Sequence, residues 1–171
     1  MPKDDQVDDL VANNRAYADG YHGPLPLQPS RRLAVVACMD SRLDIFSLLG
    51  LEDGEAHIIR NAGGIVTNDV IRSLTISQRF LLTNEIIIIN HTDCGMQRFS
   101  EDEFRNEMRE SLGMSPPWPG EFFRDLDENI RDGISRIRHS AFVPHNTMVR
   151  GFVFDVATGL LREVQPANVS P

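Results

Sequence analysis

The sequence predicts an α/β fold in which a mostly parallel sheet is flanked by helices. Apolar strand segments alternate along the chain with segments of helical periodicity, which is the pattern of βαβ units. Two strand segments, "LAVVAC" at 33–38 and "EIIIIN" at 85–90, are almost continuously apolar, as expected of strands covered on both faces. The length of 171 residues suits one domain with a substantial core. We therefore expect residues 1–171 to form a single domain.

The first thirty residues predict a helix followed by an extended connector. Apolar side chains recur near helical spacing between residues 5 and 19, namely Val7, Leu10, Val11 and Tyr17. Asp4 or Asp5 is the expected N-terminal cap of this helix, and Gly20 is its expected end. The proline-rich "YHGPLPLQP" follows. Because the helix is amphipathic and the connector extended, residues of about 5–30 are expected to form an arm that packs on a partner subunit.

The middle of the chain predicts two helices that alternate with strands. "LDIFSLLG" indicates a short helix that ends at Gly50, and "AHIIRN" at 56–61 indicates the second strand. "VIRSLTISQRFLL" at 70–82 has the spacing of a helix, with Asn68 and Asp69 as its expected caps. "EIIIIN" is then the third strand.

The last part of the chain predicts two further helices and a strand hairpin. Ser100 and Glu103 have capping-box spacing at the start of a helix that ends near residue 113. Within 122–140, a second helix is expected to face the core with Phe123, Leu126, Ile130, Ile134 and Ile137. The closing "MVRGFVFDVATGLLREV" predicts two strands joined by a turn at 157–159.

The acidic composition excludes several classes of partner. The formal net charge is −8 at pH 7, and no basic run exceeds the "RR" at 31–32. Phosphate contacts and anionic lipids require clustered Lys and Arg, so neither a nucleic-acid nor a membrane partner is expected. The longest unbroken apolar run is "IIII" at 86–89, far below the ~20 residues of a membrane span. The polar start "MPKDDQVDDL" lacks the features of a signal peptide, and we expect a cytoplasmic protein.

Three residues at predicted strand ends have the side chains of a zinc site. Cys38 ends the first strand, and His91 and Cys94 follow the third strand with the spacing H-x-x-C. The carboxyl ends of parallel strands lie at one edge of a sheet, where open α/β folds bind their ligands. Zinc binds thiolate and imidazole, and three protein ligands leave a fourth position for water, as in catalytic sites. Each cysteine alone is as consistent with a small buried apolar residue, but their shared position favours Zn²⁺.

Asp40 and Arg42 follow Cys38 at alternate positions and require a chemical explanation. Asp40 is either a fourth zinc ligand or, when Arg42 holds it by a bidentate hydrogen bond, a group that orients a metal-bound water. Considered alone, the two residues would form a structural ion pair, but beside a zinc site we favour the catalytic role. "RNAGG" at 60–64 predicts an anion-binding turn or, equally, a tight strand-to-helix connection. Gly95 offers a backbone N–H that could face a small anion on the metal.

Three motifs together resemble those of the β-class carbonic anhydrases. "CMDSR", "RNAGG" and "HTDCGM" occur in that order, and the resemblance extends from about residue 33 to 164, including the closing hairpin. It implies zinc bound by Cys38, His91 and Cys94, and a catalytic dyad of Asp40 and Arg42. It also implies a backbone contact from Gly95 to substrate or bicarbonate. The family fold implies four parallel strands with an antiparallel fifth, in a homodimer or homotetramer whose N-terminal helices pack on partner subunits.

The resemblance implies zinc-hydroxide attack on a small linear substrate, most simply the reversible hydration of carbon dioxide to bicarbonate. Short members of this family also include carbonyl sulfide and carbon disulfide hydrolases, which share the zinc residues. Hydrolysis of carbonyl sulfide to hydrogen sulfide and carbon dioxide is therefore the alternative. A third hypothesis is a non-enzymatic protein with a structural or sensory zinc. The substrate pocket is expected to be lined by residues around Ile65 and Val66 or by residues of a partner subunit. The apolar side chains of Ile65 and Val66 would accept sulfur without excluding CO2.

Overall fold

The described part of the chain has a central five-stranded sheet with four parallel strands and one antiparallel strand, as predicted. The structure, a computed structural model, describes residues 6–165; the predicted cap residues Asp4 and Asp5 lie outside them. The strands are β1 (Leu33–Cys38), β2 (Ala56–Asn61), β3 (Glu85–His91), β4 (Val149–Phe154) and β5 (Leu161–Val164). Their order across the sheet is β2-β1-β3-β4-β5, and only the β4–β5 pair is antiparallel.

Among residues 6–165, five α-helices occupy the segments in which helices were predicted. They are α1 (Gln6–Asp19), α2 (Ile45–Leu49), α3 (Asn68–Arg79), α4 (Glu101–Leu112) and α5 (Leu126–Arg138). The predicted cap of α3 is wrong. Thr67 caps that helix by accepting a hydrogen bond from the Val70 N–H, while Asn68 and Asp69 lie in its first turn. The capping box of α4 between Ser100 and Glu103 is confirmed.

Both faces of the sheet are covered, which explains the continuous apolar sequences of its inner strands. All six residues of β1 are buried. Ala34 and Val36 pack in a cluster with α3 and α5, whereas Val35 and Ala37 pack in a second cluster with α2 on the opposite face. This burial fixes β1 and its neighbour β3 at the centre of the molecule, so the groups at their carboxyl ends are held on rigid elements.

Helices α1 and α4 contribute little to this core. The apolar side chains of α1 remain exposed in the single chain, with Leu10 at 61% and Val11 at 64%. None of the residues of α4 is buried, and Phe104 packs instead against Trp118 and Phe122, with ring centroids 5.9 and 5.6 Å away. Within residues 6–165, no helix is both long and apolar enough to cross a membrane.

Candidate metal centre

The three predicted zinc ligands meet at the carboxyl edge of the sheet. Strands β1 and β3 are parallel neighbours, so Cys38 at the end of β1 lies beside His91 at the end of β3. The turn after β3 brings Cys94 to the same place. The ligand atoms of these three residues all lie within 4.8 Å of one another, and all three residues are buried. This spacing and this set of donor atoms fit a bound zinc ion.

The hydrogen bonding of His91 prepares one ring nitrogen for a metal. Nδ1 lies 2.9 Å from the Thr92 carbonyl oxygen, which can only accept, so Nδ1 carries the proton and donates. Nε2 is buried and has no hydrogen-bond partner. An unpaired buried nitrogen is costly, whereas metal coordination would satisfy its lone pair. The geometry therefore fits a metal ion bound through Nε2.

The two thiols also favour a cation between them. The neighbouring Cys94 thiol lowers the pKa of Cys38, and the backbone N–H groups of Asp40 and Gly63 lower it further by hydrogen bonding to the sulfur. The same pairing with Cys38 raises the pKa of Cys94. The pair thus loses one proton easily and the second with difficulty. A soft dication would stabilise both thiolates, and zinc binds thiolate and imidazole together.

Asp40 and Arg42 form the predicted bidentate pair beside this cluster. Arg42 donates from Nε to Asp40 Oδ1 at 2.9 Å and from Nη2 to Asp40 Oδ2 at 2.8 Å. These hydrogen bonds hold the pKa of Asp40 well below its ordinary range, despite an opposing effect of burial. Asp40 Oδ2 lies 3.7 Å from His91 Nε2. The carboxylate is therefore ionised and adjacent to the ligand cluster while Arg42 holds it.

Two residues that sequence reasoning missed fix the backbone around the cluster. Arg60 donates from Nε to the Cys38 carbonyl at 2.9 Å and from Nη2 to the Asp40 carbonyl at 2.7 Å. Asn90 donates from Nδ2 to the Gly63 carbonyl at 2.7 Å. The available signal was their position, because Arg60 begins "RNAGG" and Asn90 immediately precedes "HTDCGM".

The "RNAGG" turn packs unusually close to the end of β1. Gly63 and Gly64 have φ of 80° and 62°, and a Cβ on Gly64 would lie 2.8 Å from the Cys38 nitrogen. Glycine alone fits this combination of positive φ and close approach. The structure thus shows the tight connection that was one of the two interpretations. The Gly63 N–H lowers the pKa of the Cys38 thiol and so favours its thiolate.

The other residues predicted to contact substrate lie near the site in different settings. Gly95 is exposed and begins a short 3-10 helix, and a Cβ added to it would meet no atom within 4 Å, so open space adjoins it. Ile65 and Val66 line a cavity of about 410 Å³ together with Phe123, Asn129 and other residues of segment 121–136. None of Cys38, His91 and Cys94 lines that cavity.

The family follows from comparison with known proteins. The family model described as carbonic anhydrase matches residues 33–118. Over 160 residues the chain is 54% identical to β-carbonic anhydrase 1 of Mycobacterium tuberculosis, covering 94% of this chain and 98% of that protein. This chain belongs to the β-carbonic anhydrase family. The resemblance noted from the three motifs is thereby confirmed.

Two further similar proteins, a solved structure and a hydrolase, support the assignment of this chain to the β-carbonic anhydrase family. The crystal structure of carbonic anhydrase from Streptococcus mutans superposes with a TM-score of 0.89 at 42% identity, covering 94% of this chain and 98% of that one. A carbon disulfide hydrolase of Saccharolobus solfataricus is 37% identical over 157 residues, covering 78% of this chain and 77% of that protein. The chain is therefore an enzyme of this family, and the hypothesis of a non-enzymatic zinc protein is not supported.

Proposed function

We propose that the enzyme binds zinc through Cys38, His91 and Cys94 and catalyses the reversible hydration of carbon dioxide to bicarbonate. The observation that carries this proposal is the buried Cys-His-Cys cluster with an unpaired His91 Nε2, in a chain closely similar to a β-carbonic anhydrase. A zinc ion bound there would act as a Lewis acid that makes water a nucleophile near neutral pH. The other contributions come from the chain itself.

Asp40 and Arg42 are proposed to form the catalytic dyad. The Asp40 carboxylate lies next to the ligand cluster and stays ionised, so it can accept a hydrogen bond from the attacking water and orient it. The same oxygen lies 3.7 Å from His91 Nε2, so rotation of the carboxylate could bring it into the donor set of a metal bound there. Arg42 opposes that rotation by holding both carboxylate oxygens. Gly95 is proposed to donate its backbone N–H to an oxygen of the substrate or of bicarbonate.

Hydrolysis of carbonyl sulfide or carbon disulfide is the second candidate activity. The 37% identity to a carbon disulfide hydrolase favours this activity. We propose that the two proteins bind their metal through the same residues. The buried apolar residues Ile65 and Val66 would tolerate sulfur but offer no group that rejects CO2. One small apolar contact changes discrimination by only about 1–3 kcal/mol, so overlapping activities are expected.

The quaternary structure proposed is a homodimer or homotetramer in which the arm of residues 5–30 packs on a partner subunit. The support within the chain is α1, whose apolar residues Leu10, Val11 and Tyr17 are each more than half exposed. Exposed apolar stripes of this kind commonly mark interfaces. We further propose a single zinc-dependent domain over 1–171 in a reducing compartment such as the cytoplasm, where free thiols persist.

Zinc titration of metal-depleted protein tests this function. We expect the stopped-flow rate of CO2 hydration to rise with added zinc and to reach a plateau at one zinc per chain. Cys94→Ser is the control, because it keeps the fold's small buried side chain but loses a thiolate ligand. Full CO2 hydration by protein that contains no metal would contradict the proposal.

A further inference from the structure

Arg42 is held on two sides, and only one of them is the catalytic dyad. Its Nε and Nη2 bind the Asp40 carboxylate, as described above. Its Nη1 donates to Asp93 Oδ2 at 2.9 Å, and Nη2 donates also to the Asp93 backbone carbonyl at 2.9 Å. One guanidinium group therefore joins the segment after β1, which carries Asp40, to the turn after β3, which carries Asp93.

Asp93 itself is fixed by its backbone and by a second cation. It has φ of 55°, a left-handed conformation that Asp and Asn adopt more readily than most residues. Arg98 donates from Nη2 to Asp93 Oδ1 at 2.5 Å. Both carboxylate oxygens of Asp93 are therefore engaged, one by each arginine. Because Asp93 lies between His91 and Cys94, this anchor is part of the metal-binding turn.

We propose that Asp93 is a positioning residue that keeps Arg42 on Asp40 and thereby keeps Asp40 out of the metal's ligand set. The Arg42 side chain is 44% exposed, so solvent weakens its bidentate pairing with Asp40. A second carboxylate removes its freedom to turn away. Asp40 Oδ2 is 3.7 Å from His91 Nε2, so a small displacement decides between the two positions. This inference rests on the proposed function, since it assigns a role within the dyad.

The left-handed backbone of Asp93 determines which variants are informative. Asp93→Gly removes the carboxylate without backbone strain, whereas alanine would add strain at this φ. Asp93→Asn tolerates the same backbone and retains one acceptor oxygen for Arg42. Asp69→Asn is the matched control, because it removes an exposed carboxylate that accepts at 2.7 Å from Arg72 rather than from Arg42.

The test uses the visible absorption spectrum of the cobalt(II)-loaded enzyme at one fixed pH, which reports the ligands around the ion. Asp93→Gly is expected to shift the spectrum in the same direction as Arg42→Ala, and Asp93→Asn by less. Asp69→Asn should overlay the native spectrum. Because Asp93, Arg42 and Asp40 belong to one hydrogen-bond network, we expect Asp93→Gly to lower kcat/KM at least about threefold. Asp93→Asn should lower it by less.

A second background separates positioning from a general structural role. In the Asp40→Asn variant, residue 40 no longer has a carboxylate that could bind the metal. Adding Asp93→Gly to this variant should therefore leave its cobalt spectrum unchanged. A native spectrum for Asp93→Gly at one cobalt per chain would overturn the inference, as would an undiminished shift in Asp40→Asn. If Asp93→Gly does not fold, a native spectrum and native rate for Asp93→Asn would overturn it. Absence of CO2 hydration by the native enzyme would instead contradict the proposed function, and the spectra would still decide the role of Asp93.

Discussion

Replacing Gly64 by alanine should damage the fold and the metal centre together. A Cβ at this position would lie 2.8 Å from the Cys38 nitrogen, 2.9 Å from the Ala37 carbonyl carbon and 2.9 Å from Asn90 Nδ2. Two of these atoms belong to the backbone of the buried strand β1. The third is an amide held by its hydrogen bond to the Gly63 carbonyl. Because none can move freely, the turn or the end of β1 must shift.

The magnitude follows from two separable costs. An L-residue in the left-handed region costs about 1–2 kcal/mol, and Gly64 has φ of 62°. Overpacking a filled position adds about 1–3 kcal/mol. Gly50 provides a matched control, since it has the same φ of 62° but no atom within 4 Å of an added Cβ. Gly50→Ala should therefore show the conformational cost alone, and Gly64→Ala should show both.

Two measurements on both variants test this reasoning. Urea unfolding of metal-depleted protein gives the free energy of unfolding, and competition with a chelator gives the zinc affinity. We expect Gly64→Ala to lose at least about 1 kcal/mol more than Gly50→Ala, the lower end of the overpacking cost. It should also bind zinc more weakly, because the displaced atoms adjoin Cys38. Equal losses in the two variants, with native zinc affinity in both, would refute the close-approach argument.

Four further predictions concern the metal, the dyad, Gly95 and assembly. Metal analysis should find one zinc per chain in the native protein and a loss of zinc and activity in Cys38→Ser, His91→Ala and Cys94→Ser. Activity should rise from neutral to mildly alkaline pH, because hydroxide then competes better with Asp40 for the metal. Arg42 keeps the pKa of Asp40 low, so Asp40 does not titrate near neutrality. Any folding stability that the Asp40 carboxylate contributes is therefore lost only when the pH falls through that lowered pKa. Arg42→Ala should lower the rate by about tenfold or more at neutral pH, given ~1.5–3 kcal/mol for hydrogen bonds to charged groups; native rates at every pH would show the dyad to be structural. Gly95→Ala should fold and bind zinc normally, since its Cβ would meet no atom of the chain. It should nevertheless lose activity, because the Cβ would occupy the open space in which a substrate oxygen accepts from the Gly95 N–H; native kcat/KM would argue against the substrate contact. Light scattering should give at least twice the 19.2 kDa mass of one chain, and an active monomer at micromolar concentration would contradict the interface assigned to α1.

The sequence predicted the sheet because its main determinants are local. Continuous apolar runs in β1 and β3 report burial on both faces, and the structure confirms that burial. The convergence of Cys38 with His91 and Cys94 follows once those strands are parallel neighbours, so residues far apart in sequence could be assigned to one site. The capping box at Ser100 was likewise predictable, because both partners lie within three residues.

What the sequence could not predict depends on side-chain contacts between distant segments. Arg60 donates a hydrogen bond to the carbonyl of Asp40, 20 residues away in sequence. Arg42 donates one to Asp93, which is 51 residues away in sequence. Neither pairing leaves a periodic signal. The cap of α3 was misplaced for a related reason: Thr67 precedes two equally plausible caps, and only its extended backbone distinguishes it. Caps depend on backbone angles that residue type alone does not determine.

The central claim, a zinc enzyme that hydrates carbon dioxide, is tested most directly by measuring two catalytic efficiencies on the same preparation. Stopped-flow CO2 hydration is compared with sulfide release from carbonyl sulfide, and Cys94→Ser serves as the common blank. We predict a substantial kcat/KM for CO2 hydration that exceeds the value for carbonyl sulfide and disappears in Cys94→Ser. Negligible CO2 hydration with rapid sulfide release would contradict the proposed substrate, while a loss of both activities in Cys94→Ser would still support the metal centre.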